Sequence, residues 1–195
     1  ERVMTVTARE VKLLVAFATF AQMMHIISIA KSYGLNIRNL TVADTIAGGT
    51  GTDTLTFTDA NSNTNELDNV TAVETITLGD AATAVTTVNA LVASGATLTV
   101  NATALTTGNS NTLTWTGTAE ADGKFSITGG ASNDTILGGA GADTIDGAAG
   151  NDSITAGAGA DVIRYSSGSD LSADTQVDGG SGTDTLSFIS EGVTD

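Results

Sequence analysis

The sequence predicts a mainly β solenoid preceded by an α-helix. A nine-residue repeat places an aspartate and an isoleucine at fixed positions in tandem blocks. Short runs of threonine, valine and isoleucine fill much of the remaining chain, and these residues favour strands. The N-terminal segment has no glycine or proline over residues 8–33, which favours a helix there.

Composition and charge exclude several classes of function. The 195 residues include 22 acidic and 7 basic side chains, for a net charge of −15, and no cysteine. Disulfides and thiolate metal sites are therefore excluded, and a nucleic-acid partner is unexpected because binding phosphates needs a basic surface. The acidity favours a cationic partner, most simply a divalent metal ion.

The charge also divides the chain. Residues 1–38 hold five basic and two acidic side chains, whereas residues 39–195 hold two basic and 20 acidic ones. We therefore predict an N-terminal helical segment over 1–38 for capping, assembly or anchoring. A threonine-rich β-solenoid over 39–128 and an acidic repeat region over 129–195 follow it.

The predicted helix spans residues 8–33. Thr7 and Glu10 have the spacing of a capping box, and Gly34 is suited to end the helix. The run 13–30 carries no charged side chain. Such a helix packs on the next domain or on a neighbouring chain, and contact with a membrane or lipid through 8–33 is the alternative.

The repeat is clearest over residues 129–164, which divide into GGASNDTIL, GGAGADTID, GAAGNDSIT and AGAGADVIR. Position six of each block is aspartate: Asp134, Asp143, Asp152 and Asp161. Position eight is isoleucine in all four blocks. GGTGTDTLT at 48–56 and GGSGTDTLS at 179–187 repeat the pattern, and NLTVADTIA at 39–47 keeps it more weakly.

The chemistry of the repeat points to calcium. Glycines permit a tight turn, and each turn presents carbonyl oxygens and one carboxylate, which are the hard ligands that calcium prefers. One block cannot bury its isoleucine alone, so blocks must stack into a continuous core. Aspartate turns without an ion are the alternative, but they do not explain a carboxylate at every ninth residue.

These blocks resemble the GGxGxDxUx nonapeptides of the RTX (repeats-in-toxin) family. The resemblance implies a parallel β-roll in which two repeats form one coil, with Ca²⁺ bound between turns that lie two repeats apart. In that family one turn supplies positions two, four and six, and the other turn supplies positions one, three and six.

The resemblance implies specific calcium ligands, with carboxylates from aspartates and backbone carbonyls from the other residues. The first set is Gly130, Ser132, Asp134, Gly147, Ala149 and Asp152; the second is Gly139, Gly141, Asp143, Ala156, Ala158 and Asp161. A third set, using the degenerate block YSSGSDLSA, is Ala148, Gly150, Asp152, Tyr165, Ser167 and Asp170. Further ligands with no assigned partner turn are Gly179, Ser181 and Asp184, and Gly49, Gly51 and Asp53.

Three positions depart from the family pattern. Ser132, Ala148 and Ala156 stand where the pattern has glycine. Each costs about 1 kcal/mol if its backbone must be left-handed.

Residues 57–128 alternate apolar and polar residues in short runs, which fits further rungs of the solenoid or an attached sandwich. Ile127 stands nine residues before Ile136, so KFSIT at 124–128 is expected to enter the repeat in register. Trp115 is expected in or beside the core, with carbohydrate stacking as the alternative. DANSNTN at 59–65 begins like an EF-hand loop but lacks its glycine and final glutamate.

No catalytic constellation is present, since His25 is the only histidine and lies in no metal-binding motif. We therefore expect a calcium-dependent, non-enzymatic structural protein of the bacterial exterior, of the S-layer, filament or coat type, that self-associates into a polymer or lattice. The resemblance implies export by type I secretion machinery and an extracellular location. The alternatives are the calcium module of a secreted protease or lipase, or of a cell-surface adhesin.

Overall fold

The computed structural model describes residues 35–37, 45–57, 67–106, 111–165 and 171–188. The predicted helix at 8–33, His25, the 59–65 loop, Ser167 and Asp170 lie outside these residues. The described strands are short: β1 (Leu35–Ile37), β2 (Ile46–Ala47), β3 (Thr54–Phe57), β4 (Val70–Thr71), β5 (Thr75–Leu78), β6 (Thr83–Thr86), β7 (Thr97–Asn101), β8 (Leu113–Thr116), β9 (Lys124–Thr128), β10 (Thr135–Leu137), β11 (Thr144–Asp146), β12 (Ser153–Thr155), β13 (Ala158–Gly159), β14 (Val162–Tyr165), β15 (Gln176–Asp178), β16 (Ser181–Gly182) and β17 (Thr185–Phe188).

The strands form two main parallel sheets. One has eight strands in the order β1-β3-β5-β7-β9-β11-β14-β17, and the other has five in the order β15-β12-β10-β8-β6. Two short pairs, β2 with β4 and β13 with β16, lie outside the main sheets. Neighbours in each main sheet come from successive coils of the chain, as parallel pairing requires. The predicted mainly β, parallel solenoid is confirmed.

Coil length follows the repeat. Equivalent residues in the repeat region are 18 positions apart, so two nine-residue blocks make one coil, as the resemblance implied. The coil from Asp53 to Glu74 has 21 residues, and the coil from Asp161 to Asp184 has 23. The longer coils therefore flank a regular region.

Two columns of inward side chains run through the core. Along the large sheet, Ile76, Val100, Ile127 and Ile145 stack in register and are at most 1% exposed. Along the smaller sheet, the column contains Val85, Trp115, Ile136 and Ile154. The fixed isoleucine of the repeat is therefore the core residue, as the sequence predicted.

Trp115 lies inside this core. Its side chain is 0% exposed and meets the Phe125 ring edge-on, with centroids 5.5 Å apart. The expectation of a core tryptophan is confirmed, and its burial leaves no ring face on which a sugar could stack.

The threonine-rich stretch forms rungs of the same solenoid. Strands β3, β5, β7 and β9 pair in succession, and β9 pairs directly with β11 of the repeat region. Ile127 pairs with Ile145, so KFSIT enters the repeat in register as expected. The alternative of an attached sandwich is wrong for these described strands.

The three-part division of the chain stays a prediction. Strand β1 lies just before residue 39 and pairs with β3. Within the described ranges there is no helix long and apolar enough to cross a membrane.

Replacing Trp115 with alanine should lower the free energy of unfolding by roughly 3–5 kcal/mol, because it empties a fully buried aromatic site. Urea unfolding in saturating calcium measures the change. Thr114→Ala, on the same strand but pointing outward, is the control and should shift the curve by much less. Equal shifts for the two variants would contradict the assigned core.

Candidate metal centre

Each repeat turn buries its aspartate. Asp134, Asp143, Asp152 and Asp161 are at most 2% exposed. The turn at 138–143 closes tightly because Gly138, at position one, carries no side chain: a Cβ there would lie 2.0 Å from Ala156 O and 2.6 Å from Asp143 Oδ2. Glycine is therefore required at Gly138 by the close approach of the next coil and of the carboxylate, whereas the turn at 156–161 has Ala156 at position one.

The carboxylates connect neighbouring coils. In the turn at 129–134, Gly130 N–H donates to Asp134 Oδ2 (2.7 Å) and Leu113 N–H, from the preceding coil, donates to Asp134 Oδ1 (2.8 Å). The N–H of Asp134 itself donates to Asp152 Oδ1 in the next coil (2.8 Å). Each aspartate thus accepts a bond from the coil before it and donates one to the coil after it.

Two columns of carboxylates result. We call Asp134, Asp152 and Asp174 the first column, and Asp143, Asp161 and Asp184 the second column. In both columns the backbone N–H of each aspartate donates to the next carboxylate, at 2.7–3.1 Å.

This stacking places several oxygens of the first predicted ligand set close to the neighbouring turn. A Cβ on Gly150 would lie 2.6 Å from Ser132 O and 2.9 Å from Asp152 Oδ1, so these two oxygens border one point. A Cβ on Gly129 would likewise lie 2.4 Å from Gly147 O and 2.5 Å from Asp134 Oδ2. At each of these two points an oxygen of one turn lies close to an oxygen of the other turn, and calcium binding by the complete set stays a prediction.

In the second predicted set, Ala156 O and Asp143 Oδ2 both lie close to the point that a Cβ on Gly138 would occupy. Ala158 N–H donates to Gly139 O at 2.9 Å, which fixes the two turns against each other. Among the described residues, no three acidic or histidine side chains form a group suited to a metal ion. The predicted sets accordingly combine two carboxylates with backbone carbonyls.

In the third predicted set, the structure places a different aspartate in the coil that follows Asp152. Asp174, which sequence reasoning missed, occupies the corner stacked on Asp152, where the third set had Asp170. Asp152 N–H donates to Asp174 Oδ1 at 2.9 Å, and the buried Tyr165 hydroxyl donates to Asp174 Oδ2 at 2.5 Å. ADTQVDG at 173–179 repeats ADTIDG at 142–147 with one residue inserted, and this signal could have identified Asp174.

The structure also assigns a partner to the offset block at 179–187. Its turn lies on the turn 156–161, since Ser181 N–H donates to Gly157 O at 2.8 Å and Asp161 N–H donates to Asp184 Oδ1 at 3.1 Å. Gly179, Ser181 and Asp184 therefore belong to the second column.

Of the three residues that stand where the family pattern has glycine, one has a left-handed backbone. Ala148 has φ of 66°, in the left-handed region, whereas Ser132 and Ala156 do not have positive φ. The expected cost of about 1 kcal/mol therefore applies to Ala148.

Burial alters the acidity of the corner carboxylates. It raises the pKa of Asp143 to about 6, although the N–H groups of Gly139 and Phe125 act to lower it. The negative charges of Asp161 and Glu120 raise this pKa further. Glu120, which sequence reasoning also missed, is 1% exposed and accepts the N–H of Gly123 at 3.0 Å.

Burial also disfavours the ionised form of two other corner aspartates. Burial raises the pKa of Asp134 and of Asp161. Asp161 Oδ2 and both carboxylate oxygens of Asp53 are buried without a hydrogen-bond partner. Buried carboxylate oxygens without a hydrogen-bond partner fit calcium, a hard cation that takes six to eight oxygen ligands.

Comparison with known proteins agrees with this chemistry. The family described as RTX calcium-binding nonapeptide repeat, with four copies, matches residues 43–57, 126–154 and 137–171. These ranges include Asp53 and the four corner aspartates of the regular repeat. No curated protein and no solved structure matches the chain.

The metal-free protein should lose stability as the pH rises. A carboxyl whose pKa is raised on folding stabilises the folded state below its unfolded value of 3.8, and this contribution is lost as the pH rises through about 6. Chemical unfolding of calcium-depleted protein between about pH 4 and 7 should show this loss, and Asp143→Asn should reduce it. Identical pH dependence in the two proteins would contradict the assigned cost of ionising Asp143.

Proposed function

Because the chain carries RTX calcium-binding nonapeptide repeats in a parallel β-roll, we propose that it is a calcium-dependent, non-enzymatic structural protein of the bacterial cell exterior. It folds and assembles into an S-layer, filament or coat when it binds Ca²⁺ after export by type I secretion machinery. The observation that carries the proposal is the pair of carboxylate columns, which place negative charge in a buried position in successive coils.

The columns make folding sensitive to calcium. Residues 39–195 contain 20 acidic and two basic side chains, so the compact chain repels itself. Calcium binds the stacked turns and not the unfolded chain, and it therefore stabilises the fold by mass action. Extracellular calcium modules bind with Kd of roughly 10⁻⁴ to 10⁻³ M. A site of that affinity leaves the chain unfolded in the cytosol and folded outside.

Self-association is supported by the last described rung. Leu186 and Phe188 of β17 are 46% and 52% exposed, whereas equivalent core residues of earlier rungs are buried. An apolar end of a solenoid is a surface that another coil or a second copy of the chain can cover.

Adhesion is a second candidate, favoured by one observation. Thr54, Thr75, Thr99, Ser126 and Thr144 form a rank of hydroxyl side chains in register on the outer side of the large sheet. Such a rank offers regularly spaced hydrogen-bonding groups to a glycan. Binding of the calcium-loaded protein to a glycan array, without a calcium-induced polymer, would favour adhesion over a structural role.

Calcium titration followed by circular dichroism and electron microscopy tests the proposal. We expect the strand signal and ordered assemblies to appear together with calcium and to disappear with chelator. Assemblies that persist unchanged in chelator, or folding without any assembly at millimolar calcium, would contradict it.

Variants make the test specific. Asp152 has a carboxylate neighbour in both adjacent coils, whereas the coil before Asp143 presents Phe125 at that place. Asp152→Asn should therefore raise the midpoint calcium concentration of folding by roughly tenfold or more relative to the unsubstituted protein. Asp143→Asn should raise this midpoint by less. Asp122→Asn, which removes an exposed carboxylate, is the control and should leave the midpoint unchanged. Equal midpoints for all three variants would contradict the two columns as the calcium sites.

A further inference from the structure

The turn Ala72–Glu74 is a shortened form of the repeat turn, although it lies outside the matched repeats. Gly48 N–H donates to Thr71 O at 3.0 Å, as Gly138 N–H donates to Thr155 O at 2.9 Å. A Cβ on Gly48 would lie 1.9 Å from Ala72 O. Ala72 O thus holds the place that Ala156 O holds beside Gly138, which is position one of the next turn.

Glu74 holds position six of this short turn. Its Oε2 accepts the N–H of Asp53 at 2.8 Å, as Asp161 Oδ1 accepts the N–H of Asp143 at 2.7 Å. Thr75 N–H donates to Asp53 O, as Val162 N–H donates to Asp143 O. The turn therefore keeps positions one and six with only one residue between them, and a longer acidic side chain makes the contact.

Asp53 differs from the other corner aspartates in a way that indicates a ligand. It is 4% exposed, and neither carboxylate oxygen has a hydrogen-bond partner. In Asp134, by contrast, both oxygens accept backbone N–H groups. An ionised carboxylate buried without donors is unfavourable unless a cation binds it.

The surroundings of Asp53 supply hard oxygens and a second negative charge. A Cβ built on Gly48 would lie 2.8 Å from Asp53 Cβ and 1.9 Å from Ala72 O, so Asp53 and this carbonyl lie close to the same point. Ala72 has φ of 51°, so a left-handed residue holds this carbonyl in place. The described basic side chains, Lys124 and Arg164, lie on β9 and β14, and neither strand pairs with β3 or β5.

We propose that Glu74 and Ala72 complete a calcium site with Asp53 and the Gly49 and Gly51 carbonyls. The site rests on the proposed calcium-dependent function and extends it to a turn that belongs to no repeat. Because glutamate can bind calcium with both oxygens, Glu74 compensates for the carbonyl ligand that the shortened turn lacks.

Calcium content and hydrogen–deuterium exchange of the full chain test the site. Native mass spectrometry in calcium should count one ion fewer in Asp53→Asn and in Glu74→Gln than in the unsubstituted protein. Glutamine keeps an acceptor for Asp53 N–H but removes the charge, so folding is retained. Asp68→Asn, which removes a neighbouring carboxylate outside the site, is the matched control and should keep the full count.

Exchange locates the missing ion. Calcium should protect residues 45–57 and 67–78 in the unsubstituted protein, and Glu74→Gln should lose this protection while residues 129–165 keep theirs. Unchanged ion counts and protection in both site variants would overturn the site. Protection at 129–165 without any at 45–78 in the unsubstituted protein would overturn the site and leave the proposed function standing. No bound calcium anywhere would overturn both.

Discussion

The burial of a carboxylate at each tight turn is the constraint on which the acidic half of this solenoid depends. In the turns at 129–134 and 138–143, glycine at position one lets the chain close over its aspartate, and the next coil stacks 18 residues later on the same place. Stacking therefore brings negative charges into columns with little water around them. Under the proposed function, a calcium ion between the coils reduces this repulsion, and we expect ion binding and coil stacking to occur together.

The same corner is apolar in the middle of the molecule. Leu98, Leu113 and Phe125 occupy the place of the aspartate in their rungs and are at most 1% exposed. These rungs close their corners by hydrophobic burial, as the rest of the core does. The solenoid thus joins a central part stabilised by apolar packing to acidic parts on either side, and we expect the calcium dependence of folding to be confined to those parts.

Sequence reasoning could locate the regular repeat because its period is strict. Asp134 to Asp161 and the isoleucine column follow the nine-residue spacing, and Trp115 follows from ordinary apolar alternation. It missed Asp174 because the coil from Asp152 to Asp174 has 22 residues, whereas the regular coils have 18, so the nine-residue spacing leads to position 170. Both Thr175 N–H and Gln176 N–H donate to Asp152 O just after this corner. It missed Glu74 because a turn shortened to three residues no longer has the pattern, and only stacking reveals its equivalence.

The most direct test is anomalous X-ray diffraction from crystals grown in millimolar calcium. The account predicts calcium peaks between the turns 129–134 and 147–152, between 138–143 and 156–161, and between 156–161 and 179–184. It predicts no peak at the corners of Leu113 and Phe125. The same fold with no calcium at the aspartate corners would contradict the claim that a cation between stacked carboxylates holds the coils together.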